Sequence, residues 1–423
     1  MANTSLPAER VGDGLRTARA PRALLLAQGS NSVGDGAFYV TSALYFTEIV
    51  GLSAAQVGAG LAVAWAVGSV AGVPLGALAD RRGPRGTSAL LALMTALAVG
   101  AFLLVGSFPA FLAAATLYAS AQTGLAAARQ ALLAGLVAPA ARTAVLARLQ
   151  AVLNAGLAVG AALGGIALHA GTRGAYLTVF ALDALGFLLC ALLLARLPAP
   201  APAAGPVPES RRSGWGADVP RDRPYVLLTL LNAVMLLRMP VLSLALPLWI
   251  VQRTAAPGWT VSALFVLNTV AVTLFQVRAA RSVTGTDTAA RAVRGAGAVM
   301  GAACAVFAVT ALPGLGAGPA ASVLVLGSVL LVAAEMRHSA GSWQLGLGLA
   351  PADRVGAYQG FYGAGVPVAR TLGPLVVTTL LVGGDPAGWL LLGGVFVAAG
   401  TATGPAARWA ARSAPRTAPV PAR

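Results

Sequence analysis

Two acids stand where an apolar chain least tolerates them. Asp35 lies about midway along a hydrophobic run near residues 22–47, and Glu335 lies well inside another at about 318–342. A charge at the centre of a membrane helix costs about 3 kcal/mol on insertion scales, so it usually serves a purpose. Burial disfavours the charged form of a carboxyl. Such an acid can take a proton on one side of a membrane and lose it on the other, or hold a cationic substrate. A permanently paired structural charge is the alternative. Each acid belongs to a polar stripe. Asn31 and Tyr39 share roughly one helix face with Asp35, while His338 and Ser342 follow Glu335 at i+3 and i+7. His338 could relay protons, or be a packed polar residue. Arg238 and Arg370 also sit deep in apolar runs and need partners, for which Glu335 and Asp35 are the available acids. A pair that breaks on protonation would couple proton binding to movement; a fixed pair would staple helices. Tyr118 and Gln122 share a face at i+4, and Asn232 is a further polar position. Such groups can orient an amphipathic ligand or glue helices together. Asp183 is open between a functional role and a structural hydrogen bond.

The elements that carry these residues follow from composition. The chain has 423 residues, is 57% hydrophobic and 10% charged, and has a mean hydropathy of +0.79. A soluble chain has roughly 25% charged residues. Lipid must therefore be the solvent, and each spanning helix needs about 20 apolar residues. Twelve such segments fall at about 22–47, 55–79, 87–106, 109–132, 143–168, 174–196, 224–251, 259–278, 292–312, 318–342, 355–382 and 387–408. The expected plan is a tail at 1–21, a six-helix bundle at 22–196, an extended Pro/Ala-rich and charged linker at 197–223, a second bundle at 224–408 and a tail at 409–423. Weak repetition links the halves. Gln150, Gly156, Leu163 and Gly164 match Gln359, Gly365, Leu372 and Gly373, and Pro139-Ala-Ala-Arg142 matches Pro351-Ala-Asp-Arg354.

The net charge of +16 comes with 29 basic residues, all Arg. With the Ala and Gly richness, this fits a high-GC bacterial coding bias better than nucleic-acid recognition. Cytoplasmic loops of membrane proteins carry excess basic residues. With the N-terminus inside, only Arg173 and Arg253 fall in outside loops, which predicts both termini in the cytoplasm. Cys190 and Cys304 sit inside apolar runs and suggest no disulfide, metal site or reactive thiol. No signal peptide is read in the first 20 residues.

One loop breaks the apolar background most sharply: Gly76-Ala-Leu-Ala-Asp80-Arg81-Arg82-Gly83-Pro84-Arg85. Gly76 permits close helix packing and Gly83 a tight turn. Asp80 can accept hydrogen bonds from nearby arginines or sit at a helix N-terminus. The pattern Gly-x-x-x-Asp-Arg-x-Gly-x-Arg resembles the loop between helices 2 and 3 of major facilitator superfamily transporters. With twelve helices and a central linker, the resemblance covers the whole membrane-embedded chain. It implies an all-α fold of two pseudo-symmetric six-helix bundles around a midplane cavity, lined by helices 1, 4, 7 and 10. It also implies that the loop latches the halves together. The plain alternative is a positive anchor with turn residues.

Gly156, Gly160, Gly164 and Gly165 let a neighbouring helix approach closely. Their spacing resembles the antiporter motif of drug-exporting members, with Ala161 where that motif has Pro. The stretch Ser339-Ala-Gly-Ser-Trp343, Ala350-Pro-Ala-Asp-Arg354 and Tyr358-Gln359-Gly360 resembles bacterial efflux proteins of the same superfamily. The resulting expectation is a proton-coupled exporter of small amphipathic molecules, acting as a monomer in the bacterial cytoplasmic membrane. Its partners would be substrate, protons and lipid, without nucleic acid, cofactor, metal or enzyme activity. The rivals are an importer on the same fold and a non-transport multi-pass protein. A nucleotide-binding loop of the Gly-x-x-x-x-Gly-Lys type is ruled out, because the chain contains no Lys.

Overall fold

Turn chemistry divides the apolar chain into helices. Ser53 accepts a hydrogen bond from the Gln56 amide while the Gln56 side chain accepts from the Ser53 amide, starting one helix. Gly83, at φ +93°, makes the turn before Pro84 starts the next. Thr172 caps a third at the Ala175 amide, and Asp222 caps a fourth at the Tyr225 amide.

The computed structural model describes residues 8–200, 218–381 and 386–413, with side chains from residue 21 onward except at 54, 262, 374, 377 and 378. Among the described residues it is all helical and passes through twelve stretches. These are α1 (Ala8–Leu44, continued by a π turn at Tyr45–Ile49), α2 (Ala54–Arg82), α3 (Pro84–Phe102), α4 (Phe108–Leu136), α5 (Pro139–Ala170) and α6 (Arg173–Ala195). After the linker come α7 (Arg223–Arg253), α8 (Trp259–Ala280), α9 (Thr286–Val309), α10 (Ala317–Gly348), α11 (Val355–Gly363, then Gly365–Leu381) and α12 (Pro386–Ser413). Nine of them are long and apolar enough to cross a membrane by length and composition: α2, α3, α5 to α10, and α12. The other three are α1 and α4, which carry polar groups midway, and α11, which breaks at Ala364.

The packing repeats. In the first half α1 lies on α5 and α6, α2 on α4, and α3 on α4 and α6. In the second half α7 lies on α11 and α12, α8 on α10, and α9 on α10 and α12. The halves meet where α2 and α4 touch α11, and where α5 touches α8 and α10. Each half has its own core. Phe38, Tyr45, Phe46, Phe102, Phe111 and Phe180 form one aromatic cluster, with Phe46 and Phe111 centroids 4.6 Å apart. Trp249, Phe307 and Trp389 anchor the other. Large apolar side chains such as Val70, Leu104 and Val251 are exposed, as a surface solvated by lipid requires.

Some boundaries differ from expectation. The helix of α1 begins at Ala8, inside the stretch expected as a tail, because Ala and Arg are strong helix formers. The helix of α12 continues to Ser413 for the same reason. Within α7, the helix is interrupted around Arg238–Pro240 and a π turn at Val241–Ala245, where Pro240 lacks an amide donor. Residues 1–7, linker residues 201–217 with Arg211 and Arg212, and tail residues 414–423 lie outside the described residues.

Candidate functional site

The acid of the second half is held by three elements. Glu335 of α10 accepts hydrogen bonds from Arg238 of α7 at 3.1 Å and from the Asn268 amide of α8 at 2.9 Å. Ser339, one turn along, takes a second Arg238 nitrogen at 3.5 Å. The break in α7 at Pro240 leaves Arg238 beside a cavity of about 340 Å³, which Glu335, Leu331 and Arg370 also line. These residues lie midway along their helices. Arg370 is exposed there, and its guanidinium stands 5.8 Å from the centroid of Trp65 on α2, so it reaches from the second half onto the first. Of the two deep arginines, Arg238 has an acid and Arg370 an aromatic face.

The acid of the first half is more enclosed. Asn31 donates to Asp35 at 2.8 Å, and both residues are buried. Tyr39 is exposed one turn along, against Phe38. Gln122 donates to the Tyr118 hydroxyl at 3.1 Å, and the Tyr118 ring packs between Phe38 and Trp65. Arg129 of α4 donates to Gln28 of α1 at 2.6 Å. A smaller cavity of about 170 Å³ lies beside that pair, with Trp343 of α10 on its far wall.

Two candidates lie away from the lining of the larger cavity. Asn232 accepts from Ser342 at 2.8 Å, and Ser342 also meets the Tyr362 hydroxyl at 3.0 Å. This buried network joins α7, α10 and α11 away from the 340 Å³ cavity. His338 is buried, and its Nδ1 has no hydrogen-bond partner.

One end of the molecule is shut. Gly72 and Gly76 of α2 cross Gly356 and Gly360 of α11 with their backbones in contact. A Cβ on Gly76 would stand 2.5 Å from the Gly356 carbonyl carbon, and one on Gly360 2.6 Å from that of Gly72. Asp80 accepts from the Gly356 amide at 2.7 Å and the Ala357 amide at 2.8 Å, at the N-terminus of α11. The free amides and the helix dipole both favour an anion there. Thr143 of α5 donates to Gln344 of α10 at 3.0 Å at the same end. Arg85 donates to the Leu197 carbonyl at 3.2 Å. This is the end where Arg81, Arg82, Arg85, Arg142, Arg281 and Arg354 cluster.

The α5 glycines serve a different crossing. Cβ atoms on Gly156, Gly160 and Gly164 would strike α1 at Ser32, Ala37 and Val40. Gly165 departs from the packing role expected of it. It is exposed, with nothing within 4 Å of a Cβ, because it lies 100° around the helix from Gly164.

The end of the linker is pinned beside the shut end. Arg354, just before α11, makes a bidentate ion pair with Asp218, and the Tyr358 hydroxyl donates to Asp222 at 2.9 Å. The Arg354 hydrogen bond holds the Asp218 carboxyl below its usual range. A carboxyl held low when folded adds stability above its unfolded pKa and loses it as pH falls through the folded value. Hydrogen exchange at residues 218–222 should therefore rise at acidic pH. In Asp218→Asn it should be fast at every pH; an unchanged acid profile would remove the pin from the account.

Two repeated helical halves joined at one end, with a charged cavity at mid-height in the second half, define a multi-pass membrane protein. The sequence matches the Major Facilitator Superfamily over residues 24–374, and the chain belongs to that family. No curated protein sequence matches it. Among solved structures it is similar to a bacterial homologue of the iron transporter ferroportin in an outward-facing state, at 17% identity and a TM-score of 0.70, covering 93% of this chain and 99% of that one. The human organic anion transporter MFSD10 (TETRAN) is 16% identical with a TM-score of 0.67, covering 94% and 100%. The E. coli fucose:proton symporter FucP is 14% identical with a TM-score of 0.66, covering 93% and 99%. At these identities the likeness concerns the fold.

Proposed function

We propose that this protein is a proton-coupled exporter of small amphipathic molecules, working as a monomer by alternating access in a bacterial cytoplasmic membrane. The observation that carries this reading is the Glu335–Arg238 pair at the cavity wall, with Arg370 reaching across to Trp65. A proton on Glu335 removes the charge that holds Arg238, so protonation and helix movement become one event. Asp35, enclosed in the opposite half, is the second exchanging acid. The arginine-rich end is cytoplasmic by its charge, so the present state is closed toward the inside. Protons enter from outside as substrate leaves; after the halves rock, protons leave inward and new substrate binds. One charge crossing 100 mV contributes about 2.3 kcal/mol to this cycle. The crossing of α1 on Gly156, Gly160 and Gly164 supports the export direction by its likeness to the antiporter spacing.

The test is proton flux in proteoliposomes against a panel of antibiotics and metabolites. Export requires protons to move opposite to substrate; movement in the same direction would make the protein an importer. Asp35→Asn should lower coupled flux about 10-fold, the factor that about 1.4 kcal/mol represents, with the protein still in the membrane. Full coupled flux in this variant would remove Asp35 from the proton path.

A further inference from the structure

Asp183 of α6 is the acid for which the mechanism above has no use. It is completely buried, and neither carboxylate oxygen has a hydrogen-bond partner. Its surroundings allow no other resolution. α6 lies so close on α1 that a Cβ on Gly34 would stand 2.5 Å from the Asp183 Oδ1, and one on Gly186 3.3 Å from the Asn31 Cα. Asp183 and Gly186 lie on one face of α6, and Asn31 and Gly34 on one face of α1. The polar atoms of Asp183 and Asn31 left unpartnered here are all acceptors: Asp183 Oδ1 and Oδ2 and Asn31 Oδ1.

An ionised carboxylate without donors in a dry site is strongly unfavourable, and it neutralises instead. The neutralising species must be a cation. No third acid, histidine or cysteine joins a metal-holding group among the described residues, and the tight crossing leaves a metal ion no coordination shell. A proton needs neither. The titratable groups facing this place are Asp35 and Tyr39 on α1 and Tyr118 on α4. The helix α3 has no ionisable side chain beyond Arg85, and α5 has none between Arg148 and His169.

We infer that Asp183 holds a proton in this state, as a second proton-binding carboxyl of the first half alongside Asp35. The proton sits on one Asp183 oxygen. Asn31, whose amide nitrogen already donates to Asp35, leaves its oxygen as an acceptor on the face of α1 that α6 covers. When Asp35 gains or loses a proton, the field at Asp183 changes with it. The presence of this proton rests on the geometry of the crossing; its use in transport rests on the proton-coupled function proposed above.

The test is infrared pH titration of the purified full-length protein, reading the carbonyl stretch of protonated carboxyl groups. Wild type should show such a band at neutral pH, and 13C-aspartate labelling should shift it, which needs no mutation. Asp183→Asn should lose the Asp183 share of that band, leaving only what Asp35→Asn removes, and keep the thermal stability of wild type, because an amide replaces a neutral acid. A neutral-pH spectrum with no labelled-aspartate carboxylic band, or a band whose intensity is undiminished in Asp183→Asn, overturns the inference. In proteoliposomes Asp183→Asn should also move fewer protons per substrate. If the band is present but transport carries no protons, the function proposed above fails and the protonated Asp183 stands.

Discussion

Glu335→Gln is expected to reduce proton-coupled transport by roughly 100-fold. The side chain keeps its size and can still meet Asn268, which now donates to Glu335 at 2.9 Å. What it loses is the charge opposite Arg238. An unpaired arginine at mid-membrane costs about 3 kcal/mol on insertion scales, which corresponds to about two orders of magnitude in an equilibrium. Arg238 is only 11% exposed and has no second acid among its described contacts, so solvent offers little compensation. The variant should therefore be trapped in one state. Substrate exchange without net proton movement, measured by counterflow, should persist at a reduced rate. The double variant Arg238→Gln with Glu335→Gln should regain thermal stability relative to Glu335→Gln alone, since removing one partner of a buried pair is worse than removing both. Wild-type proton flux in Glu335→Gln would exclude Glu335 as a proton carrier.

The second large effect is steric. Gly76→Val places a branched side chain where a Cβ alone would already stand 2.5 Å from the Gly356 carbonyl carbon. That neighbour is helix backbone and cannot turn aside. α2 and α11 must separate at the arginine-rich end, and the two Asp80 hydrogen bonds to α11 break with them. Overpacking of this kind costs about 1–3 kcal/mol, enough to move a two-state equilibrium by about 5- to 150-fold. Spin-label distances between the arginine-rich ends of α2 and α11 should lengthen, and turnover should fall. Gly86→Val is the control, because a Cβ there meets nothing within 4 Å. Asp80→Asn should give a milder shift in the same direction. Unchanged distances in Gly76→Val would mean that this crossing does not set the state.

The candidate site was only partly legible in the residue order. Asp35, Glu335, Arg238 and Arg370 stand out because each is a charge in an apolar run, and cost makes them visible. Asn268 and Trp65 do not stand out, since Asn and Trp occur in any bundle; Asp183 stands out by its charge, but its lack of any hydrogen-bond partner exists only in the fold. Arg238 and Arg370 had two acids to choose between; folding brought Arg238 to Glu335 and laid Arg370 on Trp65. Gly76 was visible in its loop, but Gly72, Gly356 and Gly360 are lost among 51 glycines. Asp80 could have met arginines or a helix N-terminus, and its partners lie 276 and 277 residues away.

The sequence by itself determined the solvent, the helical class, the twofold repetition and the gathering of arginine in alternate loops. Those follow from run length, hydropathy and arginine placement, all local quantities. Only the tertiary structure decided which face of each helix turns inward, which end is shut and which charges pair. In a soluble protein, the contrast between apolar core and polar surface would have revealed those faces. Here lipid is as apolar as the packed interior, so a leucine facing lipid and a leucine facing a neighbour read alike. Helix rotation is then set by close backbone crossings and a few buried polar contacts, and these exist only once distant segments have met.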